Sequence, residues 1–435
     1  NKIKLVIGAR SSLLLPFKDL GLIVLDEEHD SSYKQDEGII YHARDMAISR
    51  ASFEHIPILL VSAVPSLETF NHIKNKKYNH TSLVKRYNDV SLPEAIVINL
   101  NEEKIEKDHF ISSKTLKIVS DYLDKKEQVL FFLNRRGYAP FLICKKCGFK
   151  HVCPNCSIYL TYHKSINKLI CHHCGLKSNK EKKCIDKKNN CDFRLHGPGV
   201  EKIYDELKSI FPNKNIEIFS SDFLSKKDKT ETIIKKIEAN KIDIIIGTQL
   251  ISKGFNFPKL NCIVVVDADF SGMGYDLRTT EKNIQLYNQL SGRAGRFSNK
   301  SIIVYQTAHP FNETLGEVLE NNPEKFLENE LLVRQKKNLP PFSRLIALIL
   351  SSQSSQESHR AAQEIKKRLI KIGDLEVLGP IESPIFKIKK RFRTRLLLRT
   401  KKNVLIQKNI RKIIDNLTIS KKIKLTVDVD PINFS

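Results

Sequence analysis

The feature that most constrains this chain is a cluster of cysteines. Eight of the nine cysteines lie between Cys144 and Cys191, and most of them form Cys-x-x-Cys pairs. A two-residue gap lets both thiolates of a pair bind one tetrahedral zinc ion at about 2.3 Å. The pattern therefore predicts two structural zinc sites of four cysteines each, formed by Cys144, Cys147, Cys153, Cys156, Cys171, Cys174, Cys184 and Cys191.

The last pair of cysteines is less regular than the others. Cys184 and Cys191 are widely spaced, so His196 or a nearby histidine is an alternative ligand in place of one thiol. Unligated buried thiols are the alternative for the whole cluster. Disulfides are not expected, because no secretory signal peptide opens the sequence.

The charge balance indicates a polyanionic partner. Lysine and arginine number 73 against 49 acidic residues, which gives a formal net charge of +24. Nucleic acid is the leading candidate for that partner, and a biased genomic composition is the alternative explanation. The longest apolar runs, such as 58–64, are far shorter than the roughly 20 residues of a spanning helix, so no membrane partner is expected.

Short apolar runs alternate with helical segments and predict an α/β fold. Runs at 22–25 and 58–62 flank a predicted helix over 41–55, and strand–helix–strand order implies a parallel sheet covered by helices. The cysteine cluster lies within a second α/β block, between its first strand and its first helix, and is therefore interpreted as an insertion. The other elements predicted for this block are strands at 128–133, 242–246, 263–267 and 302–306 and a helix over 199–211.

A smaller domain is predicted after Pro340-Pro341. Strands and helices alternate again in this segment, which is typical of a small α+β domain. The predicted strands are 345–350, 375–379, 395–399 and 423–428, and the predicted helices are 356–371 and 403–416.

A carboxylate pair follows the first predicted strand. Asp26 and Glu27 stand where an α/β nucleotide enzyme needs acidic groups, at the C-terminal end of a strand. We expect Asp26 to hold Mg²⁺ and Glu27 to orient and deprotonate the attacking water. An ordinary acidic loop is the alternative for these residues alone.

A second motif, 289–296, is interpreted as helical. Gln289, Arg293 and Arg296 are then spaced by four and three residues and project from one face, where the two guanidinium groups can act as arginine fingers on a γ-phosphate. A solvated basic helix is the alternative, but it does not explain Gly292 and Gly295, which cost helix stability. The turn after strand 242–246, which contains Gly254, offers further backbone donors to phosphates.

The order of motifs resembles that of superfamily-two helicases. DEEH (26–29), SAVPS (62–66), NRRGYAP (134–140), GTQLISKGFNFP (247–258) and QLSGRAGR (289–296) follow one another along the chain. The cysteine-rich insertion, and the segments around the DEEH box, are similar to the primosomal protein N′ family of replication-restart helicases. The resemblance covers essentially the whole chain.

The resemblance implies an ATP-dependent 3′-to-5′ DNA helicase that recognises stalled or abandoned forks and restarts replication by assembling a primosome and reloading the replicative helicase. It implies Mg²⁺ and ATP as cofactors and Glu28, His29, Gly254 and Gln289 as further nucleotide contacts. It pairs Cys144 and Cys147 with Cys184 and Cys191, and Cys153 and Cys156 with Cys171 and Cys174. The expected protein is a cytoplasmic, nucleoid-associated bacterial monomer whose partners are forks and single strands of DNA, other primosome proteins, single-stranded DNA-binding protein and the helicase loader system.

The domains expected on this basis are the C-terminal part of helicase lobe 1 (1–100), lobe 2 (101–143 and 197–310), a zinc-binding insertion (144–196) and a DNA-binding domain (325–435). The fold class expected is α/β, with RecA-like lobes of which the first is incomplete, an inserted two-zinc domain and a small α+β C-terminal domain.

The chain departs from the family pattern in the wide spacing of Cys184 and Cys191 and at three other places. No Gly-x-x-x-x-Gly-Lys-Ser/Thr phosphate loop occurs in the 435 residues, so we do not expect this chain alone to hydrolyse ATP. Val64 stands where the family usually has threonine. Ile39-Ile40 replaces Trp-Arg in an aromatic-rich loop, which leaves Tyr33 and Tyr41 as the candidates for stacking on DNA bases.

A basic stretch near the C-terminus is the predicted DNA contact. Residues 383–414 contain twelve lysines or arginines and no acid. Bases interleaved with an aromatic ring suit backbone contact combined with base stacking, and a solvated face is the alternative. The residues singled out are Lys389, Lys390, Arg391, Phe392 and Arg393.

Two other functions remain open at this stage. One is a non-catalytic DNA-binding scaffold derived from a truncated helicase. The other is an RNA helicase with a zinc ribbon.

Overall fold

The computed structural model describes residues 3–83, 90–103, 105, 109–134, 141–144, 149–156, 158–163, 168–171, 174–179, 193–196, 199–220, 227–252, 257–269, 276–296, 300–402 and 406–433. Within these ranges no helix is long and apolar enough to cross a membrane.

The helices and strands follow one another in a mixed α/β order. The strands are β1 (Ile23–Leu25), β2 (Lys34–Gln35), β3 (Tyr41–His42), β4 (Ile58–Leu60), β5 (Glu94–Asn99), β6 (Gln128–Phe132), β7 (Phe141–Cys144), β8 (Thr161–His163), β9 (Lys168–Ile170), β10 (Lys177–Asn179), β11 (Phe193–His196), β12 (Ile216–Phe219), β13 (Ile244–Gly247), β14 (Leu260–Val265), β15 (Ile302–Thr307), β16 (Ser343–Ser352), β17 (Leu375–Ile388), β18 (Arg391–Lys401) and β19 (Lys424–Val429). The helices are α1 (Ala43–Phe53), α2 (Leu67–Lys74), α3 (Ser113–Asp124), α4 (Val200–Ile210), α5 (Lys227–Glu238), α6 (Thr279–Ser291), α7 (Glu313–Glu320), α8 (Pro323–Lys336), α9 (Ser355–Leu369) and α10 (Gln407–Asp415).

The first unit is a parallel strand pair with a crossover helix. β1 and β4 pair in parallel, and α1 runs between them along the chain. The antiparallel pair β2–β3 leads into α1. Ser66 caps α2 by accepting a hydrogen bond from the Thr69 backbone N–H, so the segment after β4 turns directly into a helix.

The second unit is a six-stranded parallel sheet in the order β12–β13–β6–β14–β15–β5. Successive residues of β6 are fully buried on opposite faces: Leu130 and Phe132 in one apolar core, Val129 and Phe131 in the other. Burial on both faces is the reason that these strands are continuous apolar runs. The sheet and its helices form the second α/β block expected from the sequence.

The first-lobe boundary expected at residue 100 is wrong. β5 pairs in parallel with β15 and forms the edge of the second sheet, so the second unit begins no later than Glu94. The alternating apolar residues of β5 are compatible with the edge of either sheet. Because β5 is close in sequence to the first unit, the sequence did not indicate that it pairs with the distant strand β15.

The cysteine-rich insertion leaves the second sheet after β6 and returns before α4, as predicted. β7 and β11 pair antiparallel and bring the two ends of the insertion together. β8, β9 and β10 form a three-stranded antiparallel sheet beyond them. The small core of the insertion contains Leu142, Leu160 and Leu169 together with Cys153, Cys156 and Cys171.

The C-terminal unit is a four-stranded antiparallel sheet in the order β17–β18–β16–β19. α9 packs on it by burying Ala362, Ile365 and Leu369, which lie three and four residues apart on one helical face. α8 leads into this unit from the second lobe. The segment predicted as two short strands around 375–399 is one long hairpin, β17–β18, whose turn lies at Lys389-Lys390.

Candidate nucleotide and zinc sites

The DEEH box lies directly after β1. Glu27 has a left-handed backbone with φ of +49°, which is uncommon for a residue with a side chain and is concentrated at functional sites. Its Oε2 atom is buried and has no hydrogen-bond partner among the described residues. Asp26 is exposed at the strand end. The same Glu27 oxygen lies 3.7 Å from His29 Nδ1, which is beyond hydrogen-bond distance. This buried acceptor and the exposed Asp26 suit a water and a hydrated divalent cation.

Glu28 ties the DEEH box to its surroundings. Its side chain is buried, and its Oε2 atom lies 3.1 Å from Arg44 Nη1. Its Oε1 atom accepts a hydrogen bond of 2.6 Å from the Ser66 backbone N–H. We expected a nucleotide contact for Glu28, and the structure instead engages both of its oxygens within the protein.

His29 joins three motifs. Its Nδ1 atom lies 2.6 Å from Ser62 Oγ, and its Nε2 atom lies 3.2 Å from the Gln289 amide nitrogen. Because the amide nitrogen donates, Nε2 accepts and Nδ1 carries the proton that is donated to Ser62. The DEEH box, the SAVPS loop and the QLSGRAGR segment therefore meet at one imidazole ring.

The QLSGRAGR segment is not one helix. α6 ends at Ser291, Gly292 caps it, and Gly295 has a φ of +64° with its N–H bonded to the Leu260 carbonyl. The expectation that Gln289, Arg293 and Arg296 share a helical face is therefore wrong, because α6 stops at Gly292 and the left-handed backbone of Gly295 turns the chain away.

Arg293 still lies near the predicted site. Burial and the neighbouring Arg296 lower the pKa of Arg293, and the charges of Glu27 and Asp26 oppose that shift. Arg293 thus lies within electrostatic reach of the DEEH carboxylates. Arg296 donates from Nε to the Gly292 carbonyl at 3.1 Å.

Packing explains the glycine at the end of β13. A Cβ on Gly247 would lie 2.9 Å from the Ile251 side chain, so only glycine fits without a shift. Gln249 donates to Asn134 Oδ1 at 3.1 Å and thereby joins the turn after β13 to the end of β6. The expected contact at Gly254 lies outside the described residues.

Val64, which departs from the family pattern, belongs to the apolar core. Its side chain is buried with Leu67 and Phe70. The Val64 N–H donates to Ser62 Oγ at 3.1 Å, so the loop retains its turn without a hydroxyl at this position.

A buried ladder of charges joins the two units, and sequence reasoning missed it. Arg278 contacts both oxygens of Glu68, at 3.0 and 2.5 Å, and Glu281 Oε2 at 3.5 Å. Glu281 also lies 3.6 Å from Arg334, and its Oε1 accepts from the Leu67 N–H at 3.1 Å. Burial alone would raise the pKa of Glu68, but the Arg278 guanidinium overrides it and holds that pKa well below its usual range.

The four cysteines Cys153, Cys156, Cys171 and Cys174 form one cluster. Their sulfur atoms all lie within 4.8 Å of one another, and Cys153 Sγ and Cys174 Sγ are 3.6 Å apart. Tetrahedral zinc with bonds of about 2.3 Å places its sulfurs about 3.8 Å apart, so the cluster fits the ion. Gly175, with a φ of +74°, provides the tight turn after the second pair.

The second expected zinc site falls mostly outside the described residues. Cys147, Cys184 and Cys191 are not described, whereas Cys144 is buried at the end of β7. The side chain of His196, the alternative ligand, also lies outside the described part of the chain.

The expected DNA-binding residues are divided between exposed and engaged side chains. Lys389 and Lys390 are exposed at the β17–β18 turn. Arg391 donates to the Ser351 and Lys422 carbonyls, and Arg393 donates to the Ile385 carbonyl. The Phe392 ring lies 5.2 Å from the Phe386 ring.

The stacking candidates of the first unit lie next to the DEEH box. Tyr33 donates its hydroxyl to the Asp26 carbonyl at 2.7 Å. Tyr41 is half-buried in β3 and pairs with Gln35 of β2. Ile39, where the family has an aromatic residue, is 80% exposed at the loop between the two strands.

The parallel sheet and the motif contacts at His29 define the second lobe of a helicase and its junction with the first. The family described as helicase conserved C-terminal domain matches residues 167–298. Two more specific families match as well: the PriA DNA helicase Cys-rich region at residues 153–178 and the primosomal protein N C-terminal domain at residues 335–432.

Relatives that share one name match this chain over its whole length. Proteins named replication restart protein PriA are 40% identical in Rickettsia conorii over 100% of this chain and 67% of that protein, and 36% identical in Haemophilus influenzae over 99% and 59%. One from Bacillus subtilis is 32% identical over 99% of this chain and 54% of that protein. The chain belongs to the PriA family of replication restart proteins, and it spans between about half and two thirds of the length of these relatives.

Proposed function

We propose that this chain acts in an ATP-dependent 3′-to-5′ DNA helicase that recognises stalled or abandoned replication forks and restarts replication there. The full activity requires a phosphate loop, and none occurs in these 435 residues. The restart role consists of primosome assembly and reloading of the replicative helicase. Its partners are other primosome proteins, the loader system and single-stranded DNA-binding protein, and its location is the bacterial cytoplasm.

The observation that carries the proposal is the contact between His29 and Gln289 at 3.2 Å. It joins the end of a first-lobe strand to the end of a second-lobe helix, at the cleft where superfamily-two helicases bind nucleotide. A change in the spacing of the lobes would break or remake this contact and the hydrogen bond from His29 to Ser62. The chain therefore contains a direct link between the site of hydrolysis and the relative position of the lobes.

The residues divide the chemistry between them. Asp26 would hold Mg²⁺, which neutralises phosphate charge. Glu27, whose buried Oε2 atom has no hydrogen bond among the described residues, orients the attacking water and accepts its proton. Arg293, within electrostatic reach of these carboxylates, stabilises charge that develops on the transferred phosphoryl group, and Arg296 is the second arginine assigned to this role.

The proposal is tested with the Glu27→Gln variant of the full-length protein. We expect DNA-stimulated ATP hydrolysis to fall at least about 10²-fold, because water activation is lost. Binding of a fluorescent nucleotide should stay within about twofold, because no phosphate contact is removed. The matched control is Glu382→Gln, which changes an exposed carboxylate in β17. Wild-type turnover in Glu27→Gln would refute the assignment.

We also propose that each chain holds two structural zinc ions. One is bound by the described cluster, and the other by Cys144, Cys147, Cys184 and Cys191. Metal analysis of freshly purified protein should give two zinc ions per chain, and Cys171→Ser should remove one of them. A single zinc in the unaltered protein would refute the second site.

A further inference from the structure

The turn between β17 and β18 has an unusual backbone. Lys389 and Lys390 have φ angles of +49° and +65°, and Ile388 pairs with Arg391 across them. Two central residues with positive φ define the tight hairpin turn that normally uses Asn-Gly. A pair of lysines adopts this conformation only at a cost in backbone energy, because a Cβ is crowded at positive φ. Contacts made by the turn must therefore offset that cost.

The turn lies against the zinc cluster of a distant part of the chain. The Lys390 N–H donates to the Asn155 carbonyl at 2.7 Å, and the Lys389 N–H donates to Cys156 Sγ at 3.4 Å. Lys387 Nζ donates to the Pro154 carbonyl at 3.0 Å. Ile388 packs on the apolar core of the insertion. The loop from Cys153 to Cys156 is thus contacted along its length by one hairpin.

The backbone donor to Cys156 comes from outside the cysteine-rich insertion. Cys156 Sγ accepts from a backbone donor 233 residues away. Hydrogen bonds from N–H groups stabilise a zinc-bound thiolate and fix its direction.

We propose that the β17–β18 turn is a positioning element of the four-cysteine zinc site, and that the zinc-bound loop 153–156 is in turn the docking surface that orients the C-terminal unit. The proposal rests on zinc binding at this cluster and is independent of ATP hydrolysis. Loss of an outer-shell partner typically lowers metal affinity 10–100-fold. By linkage, removing the zinc weakens the docking by the same factor.

Two double variants with equal charge test the positioning role. Lys389→Asn with Lys390→Gly suits the turn, whereas Lys389→Val with Lys390→Val opposes it, because β-branched residues resist positive φ. Zinc release to 4-(2-pyridylazo)resorcinol should be at least tenfold faster in the Val-Val variant. The Asn-Gly variant should release zinc at the unaltered rate or more slowly. Pulsed alkylation with mass spectrometry then assigns the released ion to Cys153, Cys156, Cys171 and Cys174.

A spectroscopic measurement separates positioning from general destabilisation. In cobalt-substituted protein the thiolate-to-metal charge-transfer band should shift in the Val-Val variant and remain in place in the Asn-Gly variant. Circular dichroism and thermal unfolding confirm that β16–β19 remain folded in both. Hydrogen exchange at the Lys389 and Lys390 amides should rise after zinc removal, while the amides of β16 keep their protection.

Three results would overturn the proposal. Equal zinc release in all three proteins shows that the turn does not hold the site. Equally accelerated release in both variants assigns the effect to the lysine charges rather than to the turn. An unshifted cobalt band in a folded Val-Val variant excludes a contact with the thiolate. If the unaltered protein holds no zinc at this cluster, zinc binding itself is refuted, which is a separate result read from its metal content.

Discussion

At the scale of single residues, Arg278 is the side chain on which the buried charge ladder depends. It lies between Glu68 and Glu281, and all three side chains are largely buried. Arg278→Ala would leave two buried carboxylates without their shared cation, so we expect the free energy of unfolding to fall by about 3–5 kcal/mol. Urea denaturation measures this loss. Arg368→Ala, which removes an exposed pair with Glu364, should change stability by no more than about 0.5 kcal/mol.

His42 is the residue that should make stability depend on pH. Burial, followed by the nearby Arg44 charge, lowers the pKa of His42 to about 4. The unfolded value is about 6.5, so between these values the unfolded chain binds the proton more strongly. The stabilisation is therefore complete above pH 6.5 and is lost as the pH falls towards 4, by up to about 3 kcal/mol. His42→Gln should flatten this part of the curve from thermal unfolding, whereas the exposed His80→Gln should leave it unchanged. A curve unchanged in His42→Gln would contradict the assignment.

The sequence predicted some residues of the site and missed others for a physical reason. Asp26 and Glu27 are placed by a local rule, since a carboxylate pair follows a strand directly. Glu68, Arg278 and Glu281 come together only in the folded protein, because Glu68 and Arg278 are about 210 residues apart in sequence. Taken singly, each of these residues is indistinguishable in the sequence from an exposed surface charge. A sign was available in α6, where the acidic Glu281 lies on the same side of the helix as Ile284.

At the scale of elements, the β17–β18 hairpin alters what its basic residues can do. Lys389 and Lys390 are exposed, whereas Arg391 and Arg393 already donate to backbone carbonyls. Changing both lysines to alanine should flatten the log–log salt dependence of single-stranded DNA binding by up to about 1.4, at about 0.7 per phosphate. Fluorescence anisotropy across a salt series measures the slope. An unchanged slope would show that the turn does not contact phosphates.

The matched arginine variants should behave differently. Arg391→Ala removes donors to the carbonyls of Ser351 and Lys422, so we expect lower thermal stability of the C-terminal unit rather than a simple change of slope.

Strongly apolar elements such as β6 and β13 were predicted to within two residues, because burial on both faces leaves continuous apolar runs. The hairpin was not predicted, because its alternating charges obscure a strand whose register is set by pairing with β16.

At the scale of the whole molecule, the last described residues join the C-terminal unit to both helicase lobes. Lys34 of the first unit is buried, lies 2.8 Å from Asp428 Oδ1 and donates to the Val429 carbonyl. Lys282 of the second lobe donates to the Ile432 carbonyl at 2.8 Å. Both lobes thus hold the same short segment through lysine ammonium groups. The relative position of the lobes and the placement of the C-terminal unit are therefore coupled.

The coupling predicts the behaviour of the variant Lys34→Met with Lys282→Met. Methionine keeps the length and packing of each side chain but removes the ammonium donors, which leaves the Asp428 carboxylate and the tail carbonyls unpaired. We expect the calorimetric transition of the C-terminal unit to separate from that of the lobes and hydrogen exchange in β19 and β2 to rise. The zinc content should not change. Lys336→Met with Lys421→Met, which alters two exposed lysines, is the control. Identical calorimetric and exchange profiles in the two double variants would show that the lobes are held to the C-terminal unit by other contacts.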